Sequence, residues 1–228
     1  PRQLPVLHRR ASEWYERNGL PADAVRHALA AEDFGRAAGL LERAGRAMLA
    51  TGKDAFLDWV KALPDEAVRS RPVLGVYCAL ALLPDDLEAA EARLRDAEGL
   101  LDGASGRPEA AAVEMVVVDD EGFRSLPGSM AIVRAYLAGA RGDVPETVRY
   151  ARQALDLLPE GDALWRGAAG ALLGLSHWTS GDLDDAYQAF AESLRMTGDI
   201  THEITGAYVL ANIRAAQGRL REATRIYE

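Results

Sequence analysis

The residues of this chain that could do chemistry are few. They are four histidines (His8, His27, His177 and His202), the single Cys78, and three acidic pairs, Asp85-Asp86, Asp119-Asp120 and Asp184-Asp185. A zinc site needs His and Cys ligands at short spacings, typically two His three or four residues apart on one helix face. No two histidines stand that close and the cysteine has no second thiol, so the sequence predicts no metal site. The acidic pairs fall in expected turns and first helical turns, where carboxylates suit the positive end of a helix dipole. They are read as helix starts, not as a general acid and base. Ala47–Asp54 has the outline of a phosphate loop, with Thr51-Gly52-Lys53 at its end. Such a loop needs Gly first, Ser or Thr after the Lys, and a strand before it. Those places hold Ala47 and Asp54 after a helical stretch, so Gly52 is read as a helix C-cap. No Gly-x-Ser-x-Gly elbow occurs. The sequence predicts no catalytic residues and no cofactor in this segment.

The elements that would position any site are helical. Of the 228 residues 49% are hydrophobic but only 7% aromatic, and Ala is abundant. Ala has the highest helix propensity and lets helices approach closely. The net charge of −9 offers no basic stripe for phosphates, so direct nucleic-acid contact is not expected. Cys78 lies in the apolar run Val73–Leu83, which predicts a buried free thiol in a reducing cytoplasm. No apolar run reaches the roughly 18 residues of a membrane span, and no signal peptide is visible. A start at Pro1 in place of Met and a last helix that runs into Glu228 suggest a piece of a longer protein.

A cassette recurs along the chain: a Gly or acidic residue, a polar residue, an apolar residue, two variable positions, then a small residue. The clear copies are Gly142–Thr147, Gly181–Ala186 and Gly218–Ala223; the weaker ones are Asp85–Ala90 and Glu32–Ala37. The clear copies begin 39 and 37 residues apart, near the roughly 34-residue period of a helix–turn–helix repeat. In each, the Gly ends one helix left-handed and the next residue (Asp143, Asp182) can cap the following one. Small residues stand seven before each Gly (Ala135, Gly174, Ala211), five after (Thr147, Ala186, Ala223) and twelve after (Ala154, Ser193), and Pro159 closes the first copy. These slots resemble the tetratricopeptide repeat over 129–228. They predict helix pairs 129–141 with 144–158, 162–180 with 183–197, and 202–217 with 219–228. The preceding residues predict a less regular helical arm, 1–103. Its helices are expected from Leu7 to Asn18, from Pro21 onward, and over 33–51, 53–63, 65–70, 72–83 and 86–102. Residues 104–128 read as a linker or irregular insertion. Its Val113–Val118 run is either a helical turn packed on the core or an extended segment, and β-branched residues favour the second.

The fold class expected is therefore all-α, an α-α superhelix of antiparallel pairs. In tetratricopeptide-like superhelices the first helix of each pair lines the concave groove. Counting ten, six and three residues before each turn Gly gives three rows: Ile132, Ala171, Tyr208; Tyr136, Leu175, Asn212; and Gly139, Trp178, Ala215. Ile132, Tyr136, Leu175, Trp178, Tyr208 and Asn212 are the candidate groove for a small effector, peptide or protein. The alternative is that the aromatic residues pack between repeats.

The stretch Leu7–Gly19, continuing into Pro21–Ala31, resembles the segment that follows the nucleotide-binding and winged-helix parts of the LuxR-family, MalT-like transcriptional regulators. Leu57–Pro64 and Arg71-Pro72 are similar to the segments that come next in that family. The resemblance covers nearly the whole chain. It implies an effector-sensing region of a bacterial transcriptional regulator, with inducer binding driving oligomerisation. ATP binding would belong to an upstream module and DNA binding to a downstream helix-turn-helix, neither of which is in this segment. The alternative is a stand-alone scaffold that docks partner proteins.

Overall fold

The computed structural model describes residues 3–104, 114–197 and 200–227, with only the backbone described at 104, 197 and 200–205. Among the described residues every regular element is helical, and the chain divides into two units, Pro1–Leu126 and Pro127–Glu228.

The first unit holds α1 (Leu4–Arg17), α2 (Pro21–Ala30), α3 (Phe34–Thr51), α4 (Lys53–Lys61), α5 (Asp65–Arg69), α6 (Pro72–Leu82) and α7 (Leu87–Ala104). Helices α2 and α6 open on proline, whose missing N–H is one that a helix start leaves unbonded anyway. Helix α6 is apolar on every side and forms the core: Val73, Leu74, Val76 and Tyr77 are all at most 1% exposed. Gly45 lets α3 close on it, since a Cβ there would come within 2.5 Å of the Tyr77 ring.

A buried ion pair crosses this core. Glu42 is fully buried and Arg71 nearly so, with Arg71 Nη1 donating to Glu42 Oε2 at 2.9 Å. Glu42 Oε1 accepts the Val118 N–H at 2.8 Å and the Asp119 N–H at 3.1 Å. The Val116 N–H donates to the Ser70 carbonyl at 2.9 Å. Residues 114–119 are accordingly neither helix nor strand but a non-helical segment pinned to α3 and to the residue after α5. Of the expected linker, residues 105–113 lie outside the described residues.

Helix α8 (Asp120–Ala140) begins nine residues before the expected start at 129. Asp119 explains the early start: its carboxylate accepts the Gly122 N–H at 2.9 Å and its carbonyl accepts the Phe123 N–H at 2.9 Å. Pro127 sits inside the helix. The Pro127-Gly128 pair is a packing feature here, because a Cβ on Gly128 would stand 2.5 Å from Leu158.

The second unit continues with α9 (Val144–Leu157), α10 (Ala163–Ser180), α11 (Leu183–Thr197), α12 (Ile200–Ala216) and α13 (Leu220–Tyr227), all within three residues of expectation. Gly142, Gly181 and Gly218 have φ of 77°, 84° and 78°, the left-handed turns the cassette requires. Asp143 accepts the Glu146 N–H at 3.1 Å, capping α9. The small-residue slots are closed contacts: Ala135, Ala154, Ala186 and Ala211 have no exposed surface. In the remaining slot of α10, a Cβ on Gly174 would lie 2.7 Å from the Phe190 ring.

Candidate functional site

The six candidate groove residues occupy α8, α10 and α12, the first helix of each pair, and the structure sorts them by burial. Ile132 is 3% exposed and belongs to the core, so it presents no surface. The Trp178 ring is half-buried and meets Phe190 edge-on, centroids 6.4 Å apart, which is packing between α10 and α11. Asn212 spends its amide on its own helix, Nδ2 donating to the Tyr208 carbonyl at 2.8 Å. Tyr136 is half-buried. Leu175 and Tyr208 are open to solvent, at 51% and 61%. Tyr208 also lies 6.4 Å from the ring of Tyr227, itself exposed. Two of the six therefore present apolar surface, and Tyr227 stands beside Tyr208 from α13.

Beside this face lies a residue that sequence reasoning missed. The Arg214 guanidinium stacks over the Tyr187 ring at 3.4 Å, and its Nη1 donates to Gln217 Oε1 at 2.9 Å. Gln217 in turn donates to Asp184 at 2.8 Å, and Glu222 lies 3.4 Å from Arg214. One cation thus ties α11, α12 and α13 together. The signal was available only as an Arg in a last helical turn, which the helix dipole alone would explain.

The remaining chemistry-bearing residues are placed as follows. Cys78 is buried, and burial pushes its thiol above the ordinary range, so it stays protonated at neutral pH. Nearby, the Arg93 hydrogen bond of 2.7 Å holds the Asp65 carboxyl below its ordinary value. His8 and His27, nineteen residues apart, bring their Nδ1 atoms to 2.8 Å, and His27 stacks on Tyr15. This hydrogen bond pairs α1 with α2. Among the described residues no group of three or more metal-ligating side chains occurs. No described helix is long and apolar enough to cross a membrane.

The glycine turns, the closed small-residue slots and the paired helices of the second unit are the marks of a tetratricopeptide repeat. Residues 128–228 match the MalT-like TPR region. Similarity extends beyond that segment. Over 195 residues, 85% of this chain, it is 30% identical to the HTH-type transcriptional regulator MalT of Serratia proteamaculans and 29% identical to that of Yersinia enterocolitica. The MalT of Yersinia pestis is 30% identical over the same length. The chain spans about 20% of the length of each of these relatives. The MalT-like TPR region begins within α8 and takes in every clear cassette, whereas the arm before it is matched only through the relatives.

Proposed function

We propose that this chain is the sensing region of a LuxR-type transcriptional regulator, a helical repeat module that takes an effector and passes its state to other parts of a longer protein. The observation that carries this reading is the exposure of Leu175 and Tyr208, both on first helices of repeats within the MalT-like TPR region. Apolar side chains left open on the first helices of a rigid repeat scaffold are what an interaction surface requires. The relatives' names, HTH-type transcriptional regulators, supply the biological setting.

In this reading the chain performs no catalysis. The effector, a small molecule or a peptide or protein surface, binds one arrangement of the helices better than another and shifts the population accordingly. That shift promotes self-association of the whole regulator. ATP and DNA are handled by modules outside this segment, whose acidic balance suits neither phosphate backbone nor membrane surface. The protein works in the cytoplasm.

The test is genetic. Deleting the gene should alter transcript levels of a confined set of genes, and restoring the natural gene should reverse the change. Restoring a Leu175→Asp, Tyr208→Asp variant should not, although its circular dichroism remains helical. A deletion with no transcriptional consequence would overturn the reading and leave a docking scaffold.

A further inference from the structure

The first unit carries a concavity of 660 Å³ bounded by α3, α4 and the start of α2. Leu40, Ala44, Ala47 and Met48 fall along one stripe of α3, at the spacing that puts residues on a single helix face. Ala55 and Trp59, four apart on α4, form the facing wall. The alanines leave the space, while Leu40, Met48 and Trp59 make its surface apolar. A hollow of this size lies in the range of small-molecule sites, about 300–1,000 Å³.

The rim of the hollow has a sign. Glu16 is held by two guanidiniums: Arg43 Nη2 donates to Oε1 at 2.6 Å and Arg36 Nη2 donates to Oε2. Arg36 is fixed further, its Nε donating to the buried Ser12 hydroxyl at 2.9 Å. Glu16 and Arg43 line the hollow and Arg36 does not, and the three together carry one positive charge in excess. The cation that lines the hollow is Arg43, whose side chain is 44% exposed beside its bond to Glu16. The geometry points to a binding site for an amphipathic organic anion, with its apolar body against Met48 and Trp59 and its acidic group on Arg43. Guanidinium suits this role because it pairs with carboxylates and sulfonates through two parallel hydrogen bonds. The site is independent of the exposed face on the repeats.

The experiment uses two dyes with nearly the same ring system, the anionic anilinonaphthalene sulfonate and the neutral phenylnaphthylamine, titrated fluorimetrically into the whole chain. The anionic dye should bind saturably, one per chain. Arg43→Gln should weaken it at least about tenfold, the scale of a lost charged hydrogen bond, while the neutral dye is unchanged. Ala47→Phe, which fills the hollow, should abolish both. Dye binding that survives Ala47→Phe overturns the site, and equal effects of Arg43→Gln on both dyes overturn its preference for anions. Should Ala47→Phe lose its helical dichroism, the Met48 methyl resonance of the natural chain decides: a shift on adding the anionic dye supports the site, and no shift overturns it.

Discussion

The two units keep their helices together by different means. In Pro127–Glu228 each helix meets its neighbour in sequence through small residues, as where Gly170 backs onto Ser193 and Gly174 onto Phe190. The small-residue contacts recur with the cassette, so the unit is held by interfaces between neighbours, that of α10 with α11 the most extensive. In Pro1–Leu126 the core is closed by one polar junction that does not repeat. Glu42 reaches Arg71 at a sequence separation of 29 and Val118 and Asp119 at 76 and 77. The lesson is that the repeat is held through contacts between neighbours in sequence, whereas the arm adds to such contacts a junction between residues far apart.

That contrast breaks most readily at Glu42. Glu42→Ala leaves the Arg71 charge buried without its partner and removes the acceptor of two backbone N–H groups. Breaking a buried pair from one side costs about 3–5 kcal/mol, which urea unfolding would register. Hydrogen exchange should locate the damage: the Val118 and Asp119 amides lose protection, while amides of α10 and α11 keep theirs. Loss spread evenly over both units would show that the junction is not local to the arm.

A smaller effect is expected in the repeats. Gly174→Ala drives a Cβ to 2.7 Å from the Phe190 ring, and overpacking of this kind costs about 1–3 kcal/mol. Gly99→Ala in α7 meets nothing within 4 Å and should instead stabilise by about 0.5–1 kcal/mol through helix propensity. Thermal unfolding of the two variants should move Tm in opposite directions. If Gly174→Ala is neutral, the small-residue slots are not what sets the distance between α10 and α11.

How far each unit could be read in advance follows from the same contrast. A repeat declares itself by recurrence, so Gly142, Gly181, Gly218 and the slots around them were legible, and the helices they bound fall within three residues of expectation from Val144 onward. The start of α8 was not legible, because Asp119 can cap a helix or end an acidic loop and Pro127-Gly128 suggests a break. The junction of Glu42 with Arg71, Val118 and Asp119 has no local signature at all, since residues 76 apart in sequence carry no mark of meeting. The site was legible only in part. Periodicity placed Leu175 and Tyr208 on the first helices of their repeats but could not distinguish an exposed Leu175 from a buried Ile132. The hollow beside Trp59 was invisible, because alanines at helical spacing predict close packing as readily as an empty face.

The finest test asks whether the arm holds a worn copy of the repeat. In the cassette that opens at Glu32, that residue stands where the clear copies have glycine, and its φ is 55°, left-handed like theirs. Asp33 follows it and accepts the Arg36 N–H, as Asp143 does for Glu146. A side chain in this conformation costs about 1–2 kcal/mol, which glycine avoids, while glycine loses more chain entropy on folding. The two effects leave Glu32→Gly stabilising by about 0.5–1 kcal/mol, and Gly181→Ala destabilising by a similar amount for the mirror reason. Parallel urea titrations of the two variants read both signs at once. Should Glu32→Gly destabilise, the Glu32 side chain would have to contribute more than its backbone costs, and the turn at Glu32 would be a device of the arm, not a relic of the repeat.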